Sequence, residues 1–186
     1  MKEGELFIMQ HKCKVTVIGK KCFHDLQEKY LADPESGECP FYNVGDEFVF
    51  ERYGDRDDFW REGNGTQCAE AWDCISRYIY TALQGGSIMR GWTNDERIMI
   101  ACCNDGTRPV IFRIERIDYK ALYIDGMKSD SDREKIVEAL RKIPGVSGVN
   151  VRENFTETIL EDKSVTDEAL TEAIKCAGDF TVSKID

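Results

Sequence analysis

Eight cysteines in a chain of 186 residues offer more chemistry than any other residue type here, and three of them stand where thiols can act. Cys39 precedes Pro40 in a loop, so its backbone is held extended and its side chain can project. Cys68 falls in the first turn of a helix, where unpaired N–H groups and the helix dipole favour a thiolate. Cys103 ends a strand directly before Asn104-Asp105-Gly106, and such junctions commonly carry ligating and catalytic groups. If the three meet, their thiolates suit zinc or an iron–sulfur cluster. Cys102 is the leading candidate for a fourth ligand, ahead of Cys13, Cys22, His24 or an outside molecule. A closed fourth position makes a structural site and an open one permits catalysis. No two of the three have Cys-x-x-Cys spacing, so the signal is weaker than a zinc-ribbon pattern. Ordinary burial competes with it, because free cysteine is among the most buried residue types.

The same residues support a second chemistry, a thiol-dependent enzyme with Cys68 or Cys103 as the reactive group. Cys102-Cys103 also reads as a vicinal dithiol, but neighbours on a strand point to opposite faces. His11 and His24 are the two histidines, and neither lies in a recognisable Cys–His or Ser–His pattern. Cys74 and Trp72 read as packing, while Trp60 and Trp92 fall in loops. Arg108 before Pro109 offers either an anion contact near Cys103 or a partner for a surface carboxylate.

Composition narrows the classes. Charged residues are 32% of the chain and the hydrophobic set 41%, a balance that fits a folded globular protein. The apolar run Ile98 to Cys103 is far short of the roughly 20 residues that span a bilayer, and no apolar core of signal-peptide length follows Met1-Lys2-Glu3-Gly4-Glu5. The expectation is a cytoplasmic protein with no membrane partner, whose thiols stay reduced. Net charge is −10, and no Lys/Arg block is present to grip a phosphate backbone. Nucleic acid is therefore not expected as a partner.

The elements that would position these thiols follow from periodicity. Lys12 to Ile18 alternates as a half-buried strand. Asp25-x-x-Glu28 opens a short helix through Leu31, and Val44-Gly45-Asp46 turns into a strand over Glu47 to Glu51. Gly54 to Gly65 reads as a loop. Cys68, Ala71, Trp72, Ile75, Ile79 and Ala82 make one helical stripe, with Thr66 as N-cap and Gly85-Gly86 as the stop. Arg97 to Cys103 and a strand through Val110, Phe112 and Ile114 form a hairpin. From Ala121 the order becomes strand–helix–strand–strand–helix–strand. Its first helix opens on Ser131-x-x-Glu134 and carries Ile136, Leu140 and Ile143. Its second carries Leu170, Ala173, Ile174 and Ala177. The fold class is α+β: a mostly antiparallel, cysteine-rich domain over 1–119, then a ferredoxin-like βαββαβ domain over 120–186, with a short linker near Asp118 to Ala121.

The C-terminal domain resembles the heavy-metal-associated domain of copper chaperones and metal-pumping ATPases. The matching segments are Ile124-Asp125-Gly126-Met127, Ile143-Pro144-Gly145-Val146 and Ile174-Lys175-Cys176-Ala177-Gly178-Asp179-Phe180. That resemblance implies a Cys-x-x-Cys shortly after Gly-Met, but Ser129 and Asp132 stand at those two positions. The family's metal transfer is not carried over, and a docking, dimerisation or regulatory role is expected instead. Cys176 lies off its helix stripe as an exposed thiol. Residues from about Cys13 to Ile117 resemble a family of small prokaryotic proteins without an established activity. The match runs through Cys39-Pro40, Cys68-Ala-Glu-Ala-Trp72 and Cys103-Asn-Asp-Gly-Thr-Arg108-Pro109. The expected function is a metal- or iron–sulfur-binding protein that uses Cys39, Cys68, Cys102 and Cys103. The alternatives are the thiol enzyme and a non-catalytic adaptor. Its C-terminal module would bind a protein partner or a second copy of the chain.

Overall fold

A computed structural model describes residues 10–51, 68–152, 155–161 and 164–186. Among these there are four helices and seven strands with antiparallel pairing, an α+β protein. In chain order they are β1 (Gln10–Lys20), α1 (His24–Tyr30), β2 (Glu47–Glu51), α2 (Ala69–Leu83), β3 (Ile98–Cys102) and β4 (Val110–Asp125). These are followed by α3 (Asp130–Arg141), β5 (Val146–Val151), β6 (Thr156–Leu160), α4 (Asp167–Ala177) and β7 (Thr181–Ile185). The chain divides into two compact units, His11–Ile117 and one that contains Asp118–Asp186.

In the first unit the strand order is β2-β1-β4, with β3 also on β4. Alternation along β1 sends Cys13, Val15 and Val17 inward, where they meet Val110, Phe112 and Ile114 of β4 and Ile75 and Ile79 of α2 in one buried cluster. The opposite face of β1 pairs charges with β2: Lys12 with Glu51 at 2.8 Å and Lys14 with Glu47 at 2.6 Å. Helix α2 ends in a Schellman arrangement. Gly86 N–H donates to the Thr81 carbonyl and Gly85 N–H to the Ala82 carbonyl, with Gly85 at φ +72°. The buried Arg116 guanidinium donates to the Gly85 and Gly86 carbonyls at 3.1 and 2.7 Å, placing a cation at the negative end of the helix dipole.

In the second unit β4 is flanked by β6 and β7, and β5 pairs with β6. Leu122, Ile136, Leu140, Leu160, Leu170 and Ile174 form its own core. Burial of six such side chains, at about 1.5–3 kcal/mol each, is the main force holding this small layer of sheet and helices together.

Three helix starts differ from the sequence reading. Helix α1 is capped by the backbone of Phe23, and Asp25 sits inside the first turn. Helix α2 takes Cys68 as its N-cap, so Cys68 precedes the first turn. Thr66, the Gly54–Gly65 segment and Trp60 lie outside the described residues. Helix α3 opens two residues early because Ser129 and Asp132 close a reciprocal capping box. The residues expected as a linker, 118–121, belong to β4, where each pairs with β6. Their backbone donors and acceptors find partners as strand, so no irregular segment is needed.

Gly85 supplies a first prediction. A Cβ there would stand 2.3 Å from His11 Nε2, on a backbone that L-residues avoid. Gly85→Ala is expected to destabilise the first unit by about 1–3 kcal/mol. The check is a lowered urea midpoint at unchanged slope.

Candidate functional site

The cysteines of the first unit are gathered by a tyrosine that the sequence did not single out. Tyr42 follows Cys39-Pro40 in the loop between α1 and β2. Its ring is 3% exposed and held edge-on by Phe48 and Phe112, with centroids 6.0 and 5.4 Å away. Val17 and the loop exchange backbone hydrogen bonds through Gly45 and Asp46, which fixes the return of the chain into β2. Thus anchored, Tyr42 places its hydroxyl at the start of α2, where it accepts the Cys68 N–H at 3.0 Å.

Three thiols act on this hydroxyl electrostatically. Burial pushes the Tyr42 phenol above its ordinary range, the Cys68 N–H opposes that shift, and negative charge at Cys68, Cys39 or Cys103 adds to it. All three sulfurs therefore lie within electrostatic reach of one oxygen. Cys39 and Cys68 are half-buried against the first core, and Cys103 is inside it. Two of the thiols have a favourable polar group or helix end beside them. Cys68, as N-cap of a 15-residue helix, sits at the positive end of the dipole. The Cys103 sulfur accepts the Val110 N–H at 3.3 Å, a bond that strengthens when the acceptor is a thiolate.

Cys102 is exposed while Cys103 is buried, as adjacent strand positions require. Cys74, read from the sequence as packing, has a polar role. Its thiol donates to Asn104 Oδ1 at 2.6 Å, and Asn104 Nδ2 donates to Asp73 Oδ2 at 3.0 Å. Burial raises the Cys74 thiol, and negative charge at Cys102, Asp73 and Cys103 raises it further. Cys74 therefore lies within electrostatic reach of both members of the 102–103 pair. Its position two residues beyond the apolar Trp72 was the only sequence signal, and i, i+6 spacing from Cys68 does not mark a shared site. Cys13 is fully buried, and burial pushes its thiol far up, which keeps it protonated. Cys22 and His24 meet each other at the start of α1, with Sγ 3.8 Å from Nδ1. All eight cysteines are free thiols. Among the described residues, no three His, Cys, Asp or Glu side chains form a group that would hold a metal ion.

The loop after Cys103 is organised by Asp105. Its carboxylate accepts from Thr107 N and Oγ1, both at 2.9 Å, and from Arg108 N at 3.1 Å and Nε at 3.0 Å. Burial works against the Asp105 charge, but the bonds from Thr107 and Arg108 outweigh it and hold the carboxyl below its usual range. Arg108 is thereby engaged as an ion pair with Asp105. Trp72 is half-buried and tilted against Phe50, and Trp92 is 75% exposed.

In the second unit Ser129 and Asp132 act as a helix start. Asp132 N–H donates to Ser129 Oγ at 3.2 Å, and Asp132 Oδ2 accepts from Ser129 N and Oγ at 3.1 and 2.9 Å. Those bonds, led by the Ser129 hydroxyl and the Lys128 N–H, hold the Asp132 carboxyl below its ordinary range. Cys176 is exposed, 3.6 Å from a Glu172 oxygen. No helix among the described residues is long and apolar enough to cross a membrane. No protein-family model, curated protein or solved structure matches this chain.

Two outcomes follow. Tyr42→Phe removes the acceptor for Cys68 N–H and is expected to cost about 0.5–1.5 kcal/mol, measured by denaturant unfolding. For Asp132 the folded value is depressed, so its contribution is present above the unfolded carboxyl range near ~3.9 and is lost as pH falls through the folded value. Asp132→Asn is expected to flatten that acid limb in a pH series of thermal midpoints.

Proposed function

We propose that the first unit binds a thiophilic metal, as zinc or an iron–sulfur cluster, through Cys39, Cys68 and Cys103. The observation that carries this reading is that Cys39, Cys68 and Cys103 all lie within electrostatic reach of the Tyr42 hydroxyl, which the Cys68 N–H ties to the start of α2. Sulfur ligands in a half-buried pocket suit a soft or borderline cation. The Val110 N–H donating to the Cys103 sulfur, and the α2 N-terminus at Cys68, would support metal-bound sulfur at those two positions. Cys102 faces away from Cys103, so in this reading the fourth position falls to an outside molecule and the site is open. Cys39 stands in the loop between α1 and β2.

A second reading rests on one further observation. Cys68 caps α2 with no side-chain hydrogen bond of its own, which leaves its sulfur available as a nucleophile at a helix N-terminus. A thiol-dependent enzyme would use Cys68 or Cys103 in that role.

For the second unit we propose a docking or regulatory module of ferredoxin-like type, akin to a heavy-metal-associated domain without its thiol pair. Support comes from the order β4-α3-β5-β6-α4-β7 and the strand sequence β5-β6-β4-β7. Ser129 and Asp132 are spent on capping rather than held for a cation. A groove between α3 and α4, floored by Ala139, Ala173 and Ala177 and edged by Lys135 and Lys142, suits a protein partner or a second copy. Eight free thiols fit a reducing compartment, and we assign the cytoplasm.

Protein purified without oxygen is expected to carry near-stoichiometric zinc or iron. After metal removal, cobalt(II) should give thiolate charge-transfer absorption. Cys68→Ala and Cys103→Ala should abolish both signals, and Cys176→Ala should leave them unchanged. Metal retained in full by the first two variants would sink the metal reading. A structural zinc contributes about 10–16 kcal/mol, against typical total stabilities of 5–15 kcal/mol. Chelation should therefore unfold the first unit if the ion is structural and spare its fold if the site is open and catalytic.

A further inference from the structure

The sequence places Cys22 and His24 two residues apart with no motif around them, and the fold turns them into a pair. Backbone hydrogen bonds from Lys21 N to the Pro109 carbonyl at 3.0 Å and from Phe23 N to the Thr107 carbonyl at 2.8 Å pin the chain on both sides of Cys22. The chain then enters α1 at His24, and the turn from extended to helical backbone brings the imidazole back over the thiol. His24 Nδ1 stands 3.8 Å from Cys22 Sγ. On its other side the sulfur meets Gln27 Oε1 at 3.5 Å.

Gln27 is fully buried and does not move freely. Its Nε2 donates to the Gly37 carbonyl at 2.9 Å, and its Oε1 accepts the Gly37 N–H at 3.1 Å. The sulfur is thus located by a rigid amide on one side and an imidazole on the other. Of these two acceptors only the imidazole can take the thiol proton and hold it. Cys22 is half-buried, and Phe23 and His24 are exposed, so a small molecule reaches the sulfur. The thiol donates to Gln27 Oε1 as the structure stands, and the imidazole at 3.8 Å is the base that can take its proton once the two close to hydrogen-bond distance.

We propose that Cys22 and His24 form a thiol–imidazole dyad that carries out thiol–disulfide exchange with small-molecule disulfides. The proton of the Cys22 thiol passes to His24 Nδ1, and the sulfur electron pair forms a new S–S bond to one sulfur of the disulfide. The disulfide's own S–S bond breaks, and its departing thiolate takes the proton from His24. Cys22 ends oxidised as a mixed disulfide and the departing half is reduced to a thiol, so no further oxidant or reductant is consumed. This goes beyond the metal reading and uses none of its three ligands.

The test is per-cysteine labelling of the full chain at neutral pH, read by mass spectrometry, with iodoacetamide and with an aromatic disulfide that releases a coloured thiol. Cys102 and Cys176 are the internal comparators, being exposed thiols. Cys22 is expected to react at least about tenfold faster than either with both reagents, the lower part of the range for a positioned base. His24→Gln should bring Cys22 down to the comparators' rate while theirs stay unchanged. His24 is exposed, so the variant should keep its far-UV spectrum, and His24→Asn repeats the test if it does not. Cys22 reacting no faster than Cys176, or staying fast without His24, overturns the proposal. Because the readout resolves each cysteine, fast labelling at Cys68 or Cys103 instead would support the thiol-enzyme reading and not this one.

Discussion

The arrangement of thiols in the first unit depends on one hydrogen bond, from the backbone N–H of Cys68 to the Tyr42 hydroxyl. It ties the loop that carries Cys39 to the N-cap of α2, two stretches that are remote in sequence. A phenol can make that tie because its ring is buried between Phe48 and Phe112 while its oxygen reaches out to a polar partner. The N-terminus of a helix supplies the partner, since its first N–H groups have no acceptor within the helix. With the loop and helix joined, Cys39, Cys68 and Cys103, the residue after β3, come within electrostatic reach of a single oxygen.

Environment then sorts thiols that are chemically identical. Cys13 lies on the inward face of β1 among aliphatic side chains and behaves as a small hydrophobe. Cys74 lies at the rim of the same core, where Asn104 takes its hydrogen and nearby negative charges keep it neutral. Cys103 faces a backbone N–H, Cys68 a helix dipole and Cys22 an imidazole. Burial disfavours a thiolate at Cys13 and Cys74, while each of the other three has a polar group or a helix terminus beside it. Selectivity among cysteines in this protein is a matter of which neighbour each sulfur has, because desolvation and local charge set thiol reactivity.

In the second unit the same logic works through oxygen. Ser129 and Asp132 satisfy each other and open α3. A carboxylate that accepts three such bonds is already engaged as a cap. The helix start is well made, and nothing is held in reserve there for a soft ion.

Periodicity made the elements legible. The stripe through Ala71, Ile75, Ile79 and Ala82, the alternation of Val110, Phe112 and Ile114, and the β5 and β6 segments all appear where the hydrophobic spacing puts them, because burial of one face is a local consequence of side-chain period. Cap positions slipped by up to two residues, since a cap is decided by which side chain closes the better hydrogen bond. The continuity of β4 through residues 118–121 was hidden, because those residues take their strand partners from β6, far along the chain. What the sequence determined by itself was the α+β class, the elements and the supply of thiols. What only the tertiary structure decided was that the Cys68 backbone meets the Tyr42 oxygen, which sulfur meets Asn104 and which meets His24. Those meetings depend on loop paths and on hydrogen bonds between segments remote in sequence, and no local pattern of residue types encodes them.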